Sequence, residues 1–284
     1  MFSPVVQPAR PLPLTPIQRR LGLWGAFALA VWLFSVVFGA GLLAHSGLAL
    51  NVHGHAHVYA HGHPFVDARS WLGLPNAMDV LSNLPLLIAG ILGLRGLGKA
   101  RPGEMPVHSR EALTVFFWGL ALAGVGSSIY HWAPAAQTLV WDRLGMAVSF
   151  AGALGLAMGE RVSPWATRPA VLGVLALGCV SAALPLVHGN VLPWAVVQFG
   201  GMGVLVWASL RRTLPSAQGV SLGGLIALYA LAKAFELGDA LVFHATGEWV
   251  SGHTLKHLIA ALAAWPVLRA MRQNARSSAK SAGL

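Results

Sequence analysis

The chain has 284 residues, of which 56% are hydrophobic and only 10% charged, with a net charge of +10. Soluble domains carry roughly 25% charged residues, so the composition excludes a soluble α/β enzyme and a disordered chain and leaves a membrane protein. The basic excess does not read as a nucleic-acid face, because Lys and Arg stand singly or in pairs between apolar runs instead of clustering with stacking aromatics. The single cysteine, Cys179, sits in an apolar run and has no intrachain partner.

Runs of about 20 apolar residues are long enough to cross a bilayer. Eight follow in chain order, at about 22–45, 76–97, 111–131, 138–159, 169–187, 193–210, 219–242 and 250–270. A tail over 1–21 precedes the first run. That run is about twice the length of a signal-peptide core and lacks a small-x-small cleavage pattern, which marks it as an anchor. The loop 46–75 carries His53, His55, His57, His61 and His63. This is a tract of the metal-binding type, with a flexible polar loop as the plainer alternative. The seven runs over 76–271 form one membrane domain, and 272–284 is a basic tail. Fifteen Lys and Arg residues fall on the side of the N-terminus and Arg69 alone on the other, with Arg143, Lys233 and Lys256 inside spans. The positive-inside rule then makes both termini cytoplasmic.

Ionisable groups inside spans are costly and mark function by default. Followed by direction of travel, they fall in one layer near the outer boundary. His131 closes the third span and Asp142 lies a turn into the fourth. His253 and His257 open the eighth. Asp79, Ser82 and Asn83 occupy the outer part of the second, and Glu236 and Asp239 that of the seventh. The i,i+4 spacing of His253 and His257 puts both imidazoles on one helix face, and Ser127 stands one turn below His131. Three neutral imidazoles and a water make the open tetrahedral site of a catalytic zinc, and the Asp142 carboxylate offsets part of the ion's charge. Taken singly, each feature has a plainer explanation. An HxxxH pair arises by chance, Ser127 can back-bond to a helix carbonyl, and Asp142 can pair with Arg143 or favour the helix N-terminus.

Assembled in this order, the residues resemble the alkaline ceramidase family, within a superfamily of seven-span membrane hydrolases that includes the adiponectin/progestin-type receptors. The resemblance covers about 65–270. It rests on Ser127 four before His131, Asp142 eleven after it, the His253/His257 pair, and the Ser82-Asn83 pair in MDVLSNLP. The segments SWLGLPNAMDVLSNLP, WDRLGMAVSF and SGHTLKHLIAAL look most like the bacterial branch. The resemblance implies an all-α, polytopic membrane fold, a seven-helix bundle with one extra N-terminal helix at 22–45. It implies zinc on His131, His253 and His257, Asp142 working on the zinc water, and Ser127 stabilising the oxyanion. The implied substrate is ceramide or another long-chain N-acyl lipid, cleaved to a fatty acid and an amine at the periplasmic face of a bacterial inner membrane. Animal members bind calcium in an acidic N-terminal segment. Here only Asp67, Asn76 and Asp79 are available, short of the 6–8 oxygens a hard cation takes.

Among the remaining features, Lys233, Glu236 and Asp239 form a stripe at i,i+3 spacing, read as a structural network or a brace for the zinc ligands. Lys256 is read onto a different helix face from the ligand histidines, facing Glu236 or a headgroup. Trp71, Trp132, Trp165, Trp194 and Trp249 read as interfacial anchors. Two other functions fit the same residues: a receptor-like protein with a structural zinc and little turnover, and a metal or proton transporter. Transporter sites lie at the midplane between repeats, which this layer does not match.

Overall fold

The computed structural model of the protein describes residues 15–46 and 64–281. The histidine tract 53–63 lies outside the described residues. Every named element is helical, and the one β-type contact among the described residues is the isolated bridge between Trp71 and Leu74. The protein is an all-α membrane protein. Six helical stretches, Pro16–His45, Ala77–Lys99, Val107–Trp132, Ala136–Arg161, Pro164–Val187 and Leu192–Ser209, are long and apolar enough to cross a membrane.

Helix α1 (Pro16–His45) starts earlier than its apolar run. Thr15 and Gln18 form a reciprocal capping box with Pro16 behind it, a local signal that satisfies free backbone N–H groups at the helix start. α1 is mostly exposed and is held at its edge by polar contacts: Trp32 Nε1 donates to Ser181 Oγ at 2.8 Å, and Asn190 Nδ2 donates to Ser35 O at 2.9 Å. The second stretch bends between α2 (Ala77–Leu81) and α3 (Leu84–Lys99), where Pro85 in the first turn of α3 cannot donate a backbone hydrogen bond.

α4 (Val107–Trp132) and α5 (Ala136–Arg161) form the central pair. Their backbones meet at four glycines spaced seven apart on each helix, Gly119 and Gly126 on α4 and Gly145 and Gly152 on α5. A Cβ added at Gly119 would lie 2.0 Å from Ser149 N, and one at Gly126 would lie 2.2 Å from Trp141 O. Small residues are what permit such an approach. α6 (Thr167–His188) packs on α5. α7 (Leu192–Ala195), a π-helical turn at Val196–Gly200 and α8 (Gly201–Ser209) make up the sixth stretch.

The last two predicted runs are each divided. The first is α9 (Leu222–Leu237) and α10 (Asp239–Ala245), parted at Gly238. The second is α11 (Gly252–Leu262) and α12 (Ala264–Ser281), parted at Ala263. α12 continues into the predicted tail, to Ser281, as a polar helix. The main apolar core, with Leu113, Phe117, Leu156 and Val267 fully buried, fills the end of the bundle where α4 begins. The predicted polar layer sits at the opposite end.

Candidate metal centre

The close crossing of α4 and α5 places the first part of the site. Gly126 lets the α5 backbone at Trp141 pass against α4, and the next residues, Ser127 and Asp142, meet: the Ser127 side chain hydrogen-bonds the Asp142 carboxyl. His131 follows one turn along α4 and is buried.

α11 supplies the second part. Ser251 caps its N-terminus by accepting from Thr254 N at 3.0 Å. Gly252 brings that end against the α9–α10 break, where a Cβ would lie 2.2 Å from Phe235 O and 2.7 Å from Asp239 Cα. Asp239 Oδ1 then accepts from the backbone N–H of His253 at 2.8 Å. His253 and His257 point from one face into the bundle, as the i,i+4 spacing predicts.

The three imidazoles converge and are buried. His131 Nε2 and His253 Nε2 are 3.1 Å apart, and one ligand atom from each of the three residues lies within 4.8 Å of the others. Among the described residues, this is the one group of three His, Cys, Asp or Glu side chains close enough to hold a metal ion. Tetrahedral zinc with Zn–N of about 2.0–2.1 Å sets two ligand nitrogens about 3.3 Å apart, so the observed pair matches that chelate.

One proton arrangement of the network around His257 presents its Nε2 to the site. Ser82 Oγ donates to the Asp79 carbonyl at 3.1 Å and lies 2.8 Å from His257 Nδ1. With its proton committed to the carbonyl, the hydroxyl accepts from Nδ1–H. This leaves the lone pair on Nε2, which is buried and has no hydrogen-bond partner among the described residues. A ligand imidazole is held this way by a partner behind it.

Other predicted residues take supporting places. Asn83 Nδ2 donates to the same Asp79 carbonyl at 2.8 Å, which braces the α2–α3 bend without reaching the imidazoles. Asp239 binds two backbone N–H groups, that of His253 and that of Val66 at 3.0 Å. Glu236 forms ion pairs with Lys233 and, at 2.9 Å, with Lys256. The three residues considered for calcium are separately engaged. Asp67 grips Arg69 at 2.6 Å, and Asn76 Nδ2 donates to His131 O at 2.8 Å. Asp79 Oδ1 accepts from Thr254 Oγ1 at 3.1 Å. Arg69 lies outside the spans, and its hydrogen bond to Asp67 raises its pKa further above the ordinary guanidinium value.

Two features differ from the sequence reading or escape it. Lys256 does contact Glu236, but it is not turned away from the ligands: its Nζ lies 3.4 Å from His253 Nε2. Three residues along a helix is an adjacent surface position, and a four-carbon stem spans the remaining offset. Phe65 was not singled out by the sequence. Its ring stacks on His253 with centroids 3.4 Å apart and lies 5.3 Å from the His131 ring. The residue belongs to a strap, 64–69, tied down by Asp239 and by Arg69 Nη2 donating to Trp249 O at 3.0 Å. The available signal was a Pro-Phe pair in an otherwise polar segment beside a candidate site.

Comparison with protein-family models and with curated proteins finds no match for this chain.

Proposed function

We propose that the protein is a zinc-dependent membrane amidase that hydrolyses a long-chain N-acyl lipid, such as ceramide, to a fatty acid and an amine. The observation that carries this reading is the pairing of an open three-histidine group with a carboxylate–hydroxyl pair one helical turn away. A structural zinc is usually closed by four protein ligands, whereas a catalytic one keeps a position free. Here a fourth Cys, His, Asp or Glu is missing from the group among the described residues.

Zinc held by His131, His253 and His257 would supply an activated water and polarise the amide carbonyl. The protein's own residues handle the protons. Asp142 takes the proton of the attacking water and hands it to the leaving amine, the work of a general base and then a general acid. Ser127 holds Asp142 in place while it is ionised. Once Asp142 is protonated, the hydroxyl is released to donate to the developing oxyanion, a contribution of a few kcal/mol at most. Ser82 keeps His257 in the tautomer that presents Nε2, and the Phe65 ring covers His253 and limits water. The reading includes eight membrane crossings, with α9–α10 and α11–α12 as the last two and α1 as an addition to a seven-helix bundle. Both termini then face the cytoplasm and the site faces the periplasm, and calcium has no assigned role.

The test is mass spectrometry of lipids incubated with purified protein in detergent, using ceramides and other N-acyl lipids. A free long-chain amine that disappears in His253→Ala and after EDTA treatment is the expected result. Stoichiometric zinc with no cleavage of any lipid would instead favour the receptor-like reading.

A further inference from the structure

The last two helices expose one row of side chains on their outward face. Leu258, Leu262, Trp265, Arg269 and Arg272 follow at alternating steps of four and three residues, the spacing that keeps a helical row on one side. Ala263, which parts α11 from α12, keeps helical dihedrals, so the row runs across the break. All five side chains are exposed, Leu262 by 54% and Trp265 by 59%. The row changes chemistry once, from three apolar side chains to two guanidinium groups. At that change Trp265, Leu268, Arg269, Arg272 and Gln273 line a groove of about 250 Å³. Contacts behind the row fix which way it faces. Ala264, Val267 and Ala270 are buried, and Met271 Cε lies 3.3 Å from where a Cβ on Gly96 of α3 would stand. Asn274 Nδ2 donates to Gln218 O at 2.9 Å.

Neither arginine has a hydrogen bond or ion pair among the described residues, and no Asp or Glu follows Glu248 in the chain. The carboxylates at this end of the bundle are engaged elsewhere. Glu104 accepts from Arg101 N, Glu111 pairs with Arg168, and Glu160 takes the backbone N–H groups of Gln218 and Val220. We infer that the row seats one anionic phospholipid of the leaflet at this end of the bundle. Its acyl chain lies along Leu258, Leu262 and Trp265, and its phosphate meets Arg269 and Arg272. A guanidinium presents parallel N–H donors that match phosphate oxygens, and an indole is at home where hydrocarbon gives way to headgroups. Arg272 stands seven residues after Trp265, about 10 Å along a helix, enough to cross an interfacial layer of about 5–8 Å. The inference uses the crossing by α11–α12 and is independent of the reaction at the metal centre.

The experiment is native mass spectrometry of the full-length protein released from uncharged detergent. Dioleoylphosphatidylglycerol and dioleoylphosphatidylcholine, which share their tails and differ in net charge, are offered in equal amounts. The expected result is one tightly retained lipid, with the anionic one favoured by about 25-fold, or about fivefold for each arginine at an anionic surface. Joint Arg269→Gln and Arg272→Gln brings the ratio close to one, while lysine at both positions keeps most of it. Trp265→Ala weakens retention of both lipids and leaves their ratio unchanged. Joint Arg19→Gln and Arg20→Gln, on another exposed basic pair, also leaves the ratio unchanged. Circular dichroism of each variant in the same detergent confirms that the helices are intact.

Neither lipid contains an amide bond, so retention is read apart from any turnover. Equal retention of the two lipids overturns the inference, as does a preference that survives the double glutamine variant. A preference lost equally in the Arg19 and Arg20 variant assigns it to the general positive field and removes the site. Displacement of the lipid by millimolar inorganic phosphate does the same, because a free anion has no use for the apolar part of the row.

Discussion

Helix α5 carries a carboxylate near each end, and the surroundings treat the two differently. Glu160, near its C-terminus, is fully buried, and each oxygen accepts a backbone N–H, from Gln218 at 2.9 Å and from Val220 at 3.3 Å. The next residue, Arg161, donates to the carbonyls of Arg211 and Val220, so the loop ahead of α9 is pinned to the helix end. Asp142, near the N-terminus, meets a serine hydroxyl, with the charges of Lys256, Arg143 and Glu236 in reach. The first acid is enclosed by groups that cannot leave. The second is surrounded by groups that can exchange partners. A buried charge bound by backbone serves the fold, while one bound by side chains keeps partners that can be exchanged.

That contrast can be broken at several points. His253→Ala has the largest expected effect. Removing one of three ligands takes zinc per chain from about one to near zero by elemental analysis, with hydrolysis lost alongside. Asp142→Asn separates binding from chemistry: zinc stays, while turnover on the best N-acyl lipid falls by about 10²–10⁴-fold. At the other end, Glu160→Ala leaves two backbone N–H groups without their acceptor, a loss of about 1–3 kcal/mol for each. The unfolding midpoint in detergent falls while the zinc content of the folded protein is unchanged; if zinc were lost at the same protein fold content, the two ends would not be independent. Ser82→Ala weakens zinc affinity by about 10–100-fold, as loss of a hydrogen bond behind a ligand does, and competition with a chelator reads that shift. Trp32→Phe is the smallest. It removes the α1 bond to Ser181, about 0.5–1.5 kcal/mol, and leaves zinc binding and turnover as they were.

Much of this arrangement is legible in the chain because it follows from period and direction. Alternating helix direction brings His131, Asp142 and His253 to one end of the bundle, and a 3.6-residue period puts His257 above His253. The breaks at Gly238 and Ala263 are less legible, since neither interrupts the apolar pattern. Gly238 parts α9 from α10 because α11 packs against that point through Gly252, a contact between separate helices. The role of Asp239 depends on the same contact: a carboxylate three residues after Glu236 reads as one more charge on a stripe, yet it binds backbone on two other segments. Lys256 shows the limit of assigning faces by angle. Its Cα is displaced from the ligand face, but the charge sits at the end of a long stem, and the ammonium decides the chemistry. Phe65 is illegible for another reason, because stacking on His253 requires a strap whose path the sequence does not encode periodically.

The two bonds of Asp239 have a mechanical consequence. One carboxylate joins segments that lie far apart in the chain, the strap at Val66 and the ligand-bearing turn at His253, and both bonds are near 3 Å. The strap and the ligand-bearing turn are therefore registered against the same rigid plane of three atoms. A displacement of the α11 turn carries the strap with it, so the Phe65 ring keeps its station over the imidazole when the helix shifts. The spacing between cover and imidazole is thus set by a side chain on a third element instead of by either partner.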